Sequence, residues 1–184
     1  MSGTLRPPFT RRVATADDMH ALGVDLAAGL DAGDLVVLTG PLGAGKTTLT
    51  RGIGEGLGVR GPVTSPTFVL ARTHPALAGG APLVHVDAYR LSSALELDDL
   101  DIDFARSVVV VEWGSGMLDG VADSWLEVEI ARPTGGDERT GRSAPEPGSD
   151  ADLDDETDEP RTVTVTGFGP RWAADGGPAP VHPV

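Results

Sequence analysis

Two unbroken apolar runs, LVVLT at 35–39 and SVVVVEW at 107–113, read as strands buried on both faces. SWLEVEIA at 124–131 and RTVTVTGF at 161–168 alternate instead, as strands with one exposed face do. FVLART (68–73) and PLVHVDAY (82–89) read as two further strands joined by the glycine-rich turn ALAGGA. The stretch TADDMHALGVDLAAGL, residues 15–30, carries Met19, Leu22, Leu26 and Leu30 at helical spacing. Thr15 suits its N-cap, and Asp17 and Asp18 suit the positive end of its dipole. A second helix is expected from Lys46 to Leu57 and a short one over ALELDDL (94–100). LGVRGPVTSPT, punctuated by Pro62 and Pro66, reads as loop. The order of these elements predicts an α/β fold with a mostly parallel central sheet flanked by helices. A C-terminal antiparallel strand pair is expected to close it.

Composition changes this picture at one place. Residues 133–160 hold ten acids against Arg139 and Arg142, and Leu153 is their one large apolar side chain. Such a stretch buries too little surface to offset its ordering entropy, and it is expected to be disordered. The organisation expected is a flexible N-terminus at 1–9, a core domain at 10–132, the acidic insert at 133–160, the last strand of the same domain at 161–172, and a flexible tail at 173–184. The chain has 184 residues, no cysteine and a net charge of −14, of which the acidic stretch carries −8 and leaves −6. Disulfide frameworks, thiol nucleophiles and cysteine-based zinc sites are excluded. The broad basic footprint of a protein that grips nucleic acid alone is missing. No apolar run approaches membrane-spanning length, and the N-terminus has no apolar signal core, so a cytoplasmic protein is expected.

The candidate chemistry starts at Lys46, the only lysine beside thirteen arginines. A chain that uses arginine for every other basic position keeps lysine where a slim ammonium is needed and a planar fork will not fit. Lys46 lies in GPLGAGKT, Gly40 to Thr47, which matches the phosphate-binding P-loop pattern G-x-x-x-x-G-K-[ST]. An apolar strand precedes it and a helix pattern follows, so a P-loop NTPase-like fold is expected. In that reading the backbone of Gly40, Pro41, Leu42, Gly43, Ala44 and Gly45, with Lys46, Thr47 and Thr48, cradles the phosphates of ATP. The Thr47 hydroxyl is placed to ligate Mg²⁺. Two acids end apolar strands, Asp87 after LVHV and Glu112 after VVVV. Both are candidate metal-side groups. One could hold the ion and its waters while the other polarises an attacking water. TSPTF at 64–68 lies where a γ-phosphate sensor would sit, although an ordinary proline turn has the same pattern. His85 reads more readily as a structural histidine than as a catalyst. Arg90, after Tyr89, is equally a phosphate-directed arginine or an ion-pair partner, and Trp113 either stacks on a base or packs.

With GPLGAGKTTLTRG, VTSPTF, HVDAYRL and VVVEWG in that order, the chain resembles the TsaE (YjeE) family. These are P-loop ATPases of bacterial tRNA threonylcarbamoyladenosine biosynthesis. The likeness covers about residues 10–131 and resumes at 161–167. It implies that Lys46 and Thr47 bind phosphate and Mg²⁺, that Asp87 is a metal-side acid and that Glu112 is the acid of the EW signature. Ser65 and Thr67 belong to a switch-like loop, with Thr67 joining Lys46 and Glu112 as a catalytic residue. It implies as partners the threonylcarbamoyl transferase subunit and its dimerising companion protein. Pro41 and Ser115 stand where the family often carries acids, and the acidic insert is not part of the family core.

A GTPase is excluded because guanine is read by an Asn-Lys-x-Asp motif and the single lysine is already committed. A small-molecule P-loop kinase would need an arginine-bearing lid, and the one long insert is acidic. A nucleotide-gated adaptor with incidental hydrolysis needs the same site as an ATPase. Direct tRNA binding by the isolated chain is not expected, and neither is membrane association.

Overall fold

Residues 6–66, 69–91, 96, 100–114, 122–132 and 159–173 are described by the structure, a computed structural model. The strands are β1 (Phe9–Val13), β2 (Leu35–Thr39), β3 (Ala71–His74), β4 (Leu83–Asp87), β5 (Val108–Glu112), β6 (Trp125–Ala131) and β7 (Arg161–Phe168). They form one sheet in the order β1-β7-β6-β2-β5-β4-β3. The helices are α1 (Ala16–Ala27) and α2 (Lys46–Gly56).

The expectation of a mostly parallel sheet is corrected to a mixed one. The four central strands, β6-β2-β5-β4, run parallel. Both margins are antiparallel: β3 on β4, and β7 between β6 and β1. The short connection from β3 to β4 permits only an antiparallel return. Among the described residues, α1 and α2 share one face, packing Met19, Leu22, Leu26, Leu49 and Ile53 on Val36, Leu38, Val108 and Val110. The opposite face, with Leu35, Val37, Val109 and Val111, is covered by Ala88, Leu91, Ile102 and Phe104. That cover includes two one-turn 3-10 helices, Ala88–Arg90 and Phe104–Arg106.

β2 and β7 have the limits that the apolar pattern predicts, and α2 begins at Lys46. Thr15 caps α1 as expected: its hydroxyl accepts from the Asp18 N–H at 3.1 Å, and the Asp18 carboxylate accepts from the Thr15 N–H at 3.2 Å. β3 starts later than expected, because the Val69 and Leu70 N–H groups turn back onto the Pro66 carbonyl. β1 escapes the pattern altogether. Its inward positions are Phe9, Arg11 and Val13, and an arginine there hides the alternation. The Arg11 guanidinium meets Asp25 of α1 at 3.1 Å. The predicted helix at 94–100 lies outside the described residues apart from Glu96 and Leu100. So do Thr67, Ser115, almost all of the acidic stretch and the chain from 174 onward.

Past β7 the chain is tied back to the start of β2. Arg171 donates to both carboxylate oxygens of buried Asp34 at 3.2 Å.

α1 and α2 cross where neither has a side chain. A Cβ on Gly52 would overlap the His20 carbonyl oxygen, and one on Gly23 would overlap that of Leu49. This close crossing seats the start of α2 against the sheet. Alanine is the better helix former by about 1 kcal/mol, yet the overlap is with backbone that cannot step aside. Gly52→Ala is therefore expected to lower unfolding free energy by about 1–3 kcal/mol, the usual cost of overpacking. Urea denaturation checks this, and a variant as stable as the parent would show that the helices can separate freely.

Candidate functional site

The parallel strands bring the candidate residues to one edge of the sheet. Alternation points Val36 and Leu38 of β2, Leu83 of β4, and Val108 and Val110 of β5 to the helix face. By the same parity His85, Asp87 and Glu112 share that face. The register sets Asp87 beside Glu112, and Glu112 beside Leu38, the last inward residue of β2. The glycine-rich loop 40–45 leaves β2 at this edge and delivers the chain to α2.

Backbone crowding dictates glycine where the loop starts. A Cβ on Gly40 would lie 2.6 Å from the Ile130 carbonyl oxygen of β6. Gly45 caps α2 without any side-chain partner for the helix. The first N–H groups of a helix have no acceptor within it, so those at Gly45, Lys46, Thr47 and Thr48 converge on the loop with the positive end of the dipole. Ala44 is fully buried under the loop, while the Leu42 side chain is 80% exposed. Leu42 can serve the loop only through its backbone.

Lys46 is buried, and its chain folds back over the loop. Its Nζ donates to the carbonyls of Gly40 at 2.8 Å and Pro41 at 3.0 Å. The ammonium also lies 3.7 Å from the centre of the Trp113 ring. Tyr89 packs edge-on against that ring, with centroids 5.5 Å apart. No carboxylate of the described residues forms an ion pair with the ammonium. Burial lowers the Lys46 pKa from its ordinary value, and the nearby charges of Glu112 and Asp87 oppose that shift. The site thus holds a desolvated cation whose negative neighbours are close enough to be felt but do not pair with it.

Thr47 and the acids form a second group. The Thr47 hydroxyl donates to Glu112 Oε1 at 3.1 Å. The same oxygen lies 2.8 Å from His85 Nε2. His85 is fully buried, and its Nδ1 has no hydrogen-bond partner. Read from the sequence as a structural histidine, it proves to be the group that holds Glu112. The spacing H-x-D already carried its orientation, since residues two apart on a strand share a face, but not its partner on β5. Asp87 Oδ1 accepts from the Tyr89 N–H at 3.1 Å and caps the turn that follows β4.

Among the described residues no three His, Cys, Asp or Glu side chains gather as a metal cage. Mg²⁺ does not require one. It keeps several waters and takes one or two carboxylates together with substrate phosphates, and Thr47, Asp87 and Glu112 fit that donor set. Thr67 lies outside the described residues, as does the side chain of Arg90. Thr64, three positions before Thr67 in the sequence, accepts a hydrogen bond from Arg72.

Two arginines that sequence reasoning did not single out also reach the loop. Arg132, just past β6, donates to the Gly43 carbonyl at 2.7 Å, and Arg161, at the start of β7, donates to it at 3.4 Å. They are 29 positions apart along the chain, and no local pattern links either to the loop.

A family model described as threonylcarbamoyl adenosine biosynthesis protein TsaE matches residues 13–141. The chain belongs to the TsaE family. A tRNA threonylcarbamoyladenosine biosynthesis protein TsaE of Streptomyces coelicolor is 55% identical over 158 residues, covering 84% of this chain and 94% of that protein. The protein of the same name in Bacillus subtilis is 37% identical over 131 residues, 70% of this chain and 80% of its own. The crystal structure of Bacillus subtilis YdiB superposes with a TM-score of 0.63 at 27% identity, covering 92% of both chains. The TsaE match spans the glycine-rich loop, both strand-end acids and Arg132. No helix among the described residues is long and apolar enough to cross a membrane.

Proposed function

We propose that this TsaE-family chain binds and hydrolyses Mg·ATP in the biosynthesis of threonylcarbamoyladenosine at position 37 of tRNA. It acts with the threonylcarbamoyl transferase subunit and its dimerising companion. The observation that carries the reading is Lys46, a buried ammonium with no ion-pair partner among the described residues, at the mouth of a strand–glycine loop–helix unit. A buried cation that faces only carbonyls and an indole is costly unless an anion joins it. The unused N–H groups at the start of α2 aim at the same place, and together they suit a polyphosphate.

Bound Mg·ATP supplies the phosphoanhydride and a metal that draws off charge as the terminal phosphoryl leaves. The loop and Lys46 orient the phosphates. Thr47 would hold the metal through its hydroxyl oxygen. Asp87 would help to hold the metal, and Glu112, fixed by His85, is placed to take the proton of an attacking water. Trp113 shields Lys46 from solvent.

Turnover measured with and without the transferase complex tests the reading. ATP hydrolysis that rises when the complex is added supports it. Nucleotide-dependent co-elution with the complex but no hydrolysis in either state would favour a nucleotide-gated adaptor.

Contact with tRNA is expected to come through the partners. Affinity for nucleic acid rests mainly on phosphate neutralisation by Lys and Arg. This chain has one lysine, buried in the loop, and a net charge of −14. A gel-shift with the isolated protein at physiological salt is expected to show no complex, and a tight one would overturn this.

A further inference from the structure

We propose that Arg132 and Arg161 are positioning residues for the glycine-rich loop, locking the peptide between Gly43 and Ala44 and thereby setting the affinity for a polyphosphate. This rests on reading the loop as a phosphate site. Both guanidiniums converge on the Gly43 carbonyl, Arg132 at 2.7 Å and Arg161 at 3.4 Å. A carbonyl has two lone pairs, so one oxygen can accept from both. Both bonds are charge-assisted, and the shorter is the stronger. Arg161 is buried, also donates to the Glu159 carbonyl at 3.3 Å, and leaves its Nε without a partner. No described carboxylate pairs with either arginine. In a chain this acidic, two cations that meet on one main-chain oxygen are not explained by ion pairing.

The other end of the same peptide is held as well. The Ala44 N–H donates to the Pro41 carbonyl at 3.1 Å, and that carbonyl also accepts from Lys46 Nζ at 3.0 Å. The two arginines therefore hold one end of the peptide unit, and its other end shares the Pro41 carbonyl with the lysine. Donation to the Gly43 carbonyl polarises the peptide and strengthens the Ala44 N–H as a donor. The lock has a reason to exist at Gly43, whose φ of +70° lies where glycine moves easily. Rotation of this peptide would break both arginine contacts and free one of the two carbonyls that seat Lys46. The lock comes from the ends of β6 and β7, so the sheet margin, and not the loop itself, sets the loop's shape.

The test uses the full chain with three readouts: apo melting temperature, amide hydrogen exchange at Ala44, and titration with Mg·ATP. Arg132 is exposed, so Arg132→Ala is expected to leave the melting temperature nearly unchanged. Exchange at Ala44 should speed several-fold, and the dissociation constant for Mg·ATP should rise about tenfold. Arg132→Lys should recover part of both, because an ammonium can still donate to the carbonyl. Arg161→Gln is expected to act in the same direction, and if it fails to fold, Arg132→Ala carries the test alone. Unchanged exchange and unchanged affinity in Arg132→Ala would overturn the proposal. If the parent protein binds no Mg·ATP while Ala44 exchange still responds to Arg132, the lock stands and the phosphate-site reading falls.

Discussion

Lys46→Ala is expected to weaken Mg·ATP binding by about 100-fold or more, roughly 2.8 kcal/mol at 1.4 kcal/mol per tenfold. The side chain makes three contacts that converge on one ammonium: the carbonyls of Gly40 and Pro41 and the face of Trp113. Removing it also removes the one buried cation of the loop. Lys46→Arg is expected not to rescue binding. The slot is bounded by two carbonyls at hydrogen-bond distance and an indole ring 3.7 Å from the nitrogen. A planar fork with five N–H donors does not fit where a compact head does. Titration with a fluorescent ATP analogue measures both variants. Near-parental affinity in Lys46→Arg would sink the steric argument while leaving the need for charge intact. The fold should not suffer in Lys46→Ala, because burial already disfavours the charged lysine and lowers its pKa. Loss of binding with an unchanged or raised melting temperature is therefore the expected signature.

Glu112→Gln is expected to keep Mg·ATP binding within a few-fold and to cut hydrolysis by at least about 100-fold, the lower end of what a positioned general base contributes. The amide has the same shape. Its oxygen can still accept from the Thr47 hydroxyl and from His85, the two partners of Glu112 Oε1. It cannot take a proton from water. Asp87→Asn is expected to act first on the Mg²⁺ dependence, because Asp87 sits beside Glu112 in the register and caps the next turn with one oxygen. Single-turnover hydrolysis and a Mg²⁺ titration separate the two phenotypes. If they come out exchanged, the two acids trade roles and the site remains. Equal loss of binding in both variants would mean that neither acid acts on the attacking water.

Much of this was legible along the chain because the signals are local. A P-loop pattern requires contiguous residues, since successive backbone N–H groups must curl around one anion. The apolar runs of β2 and β5 read as buried strands because both their faces are covered. Capping of α1 needs only Thr15 and Asp18, three residues apart. The sequence by itself therefore determined the strand–loop–helix unit, the lysine, both acids at strand ends and membership of a family whose motifs occur in fixed order.

Tertiary structure alone decided what depends on which strands become neighbours. β2 lies between β5 and β6, so Glu112 and Thr47, 65 positions apart, meet in a hydrogen bond. His85 looked structural because its partner lies on β5, which no spacing along β4 reveals. β1 was hidden because an inward arginine breaks the alternation, and the Asp25 that satisfies it lies on a packed helix. Arg132 and Arg161 carry no motif at all. Their meeting on the Gly43 carbonyl follows from the antiparallel register of β6 and β7, which sets Ala131 opposite Thr162 beside the loop. Hydrogen bonds and packing act across space over a few ångströms, and a pattern read along the chain detects only those whose partners are also close in sequence.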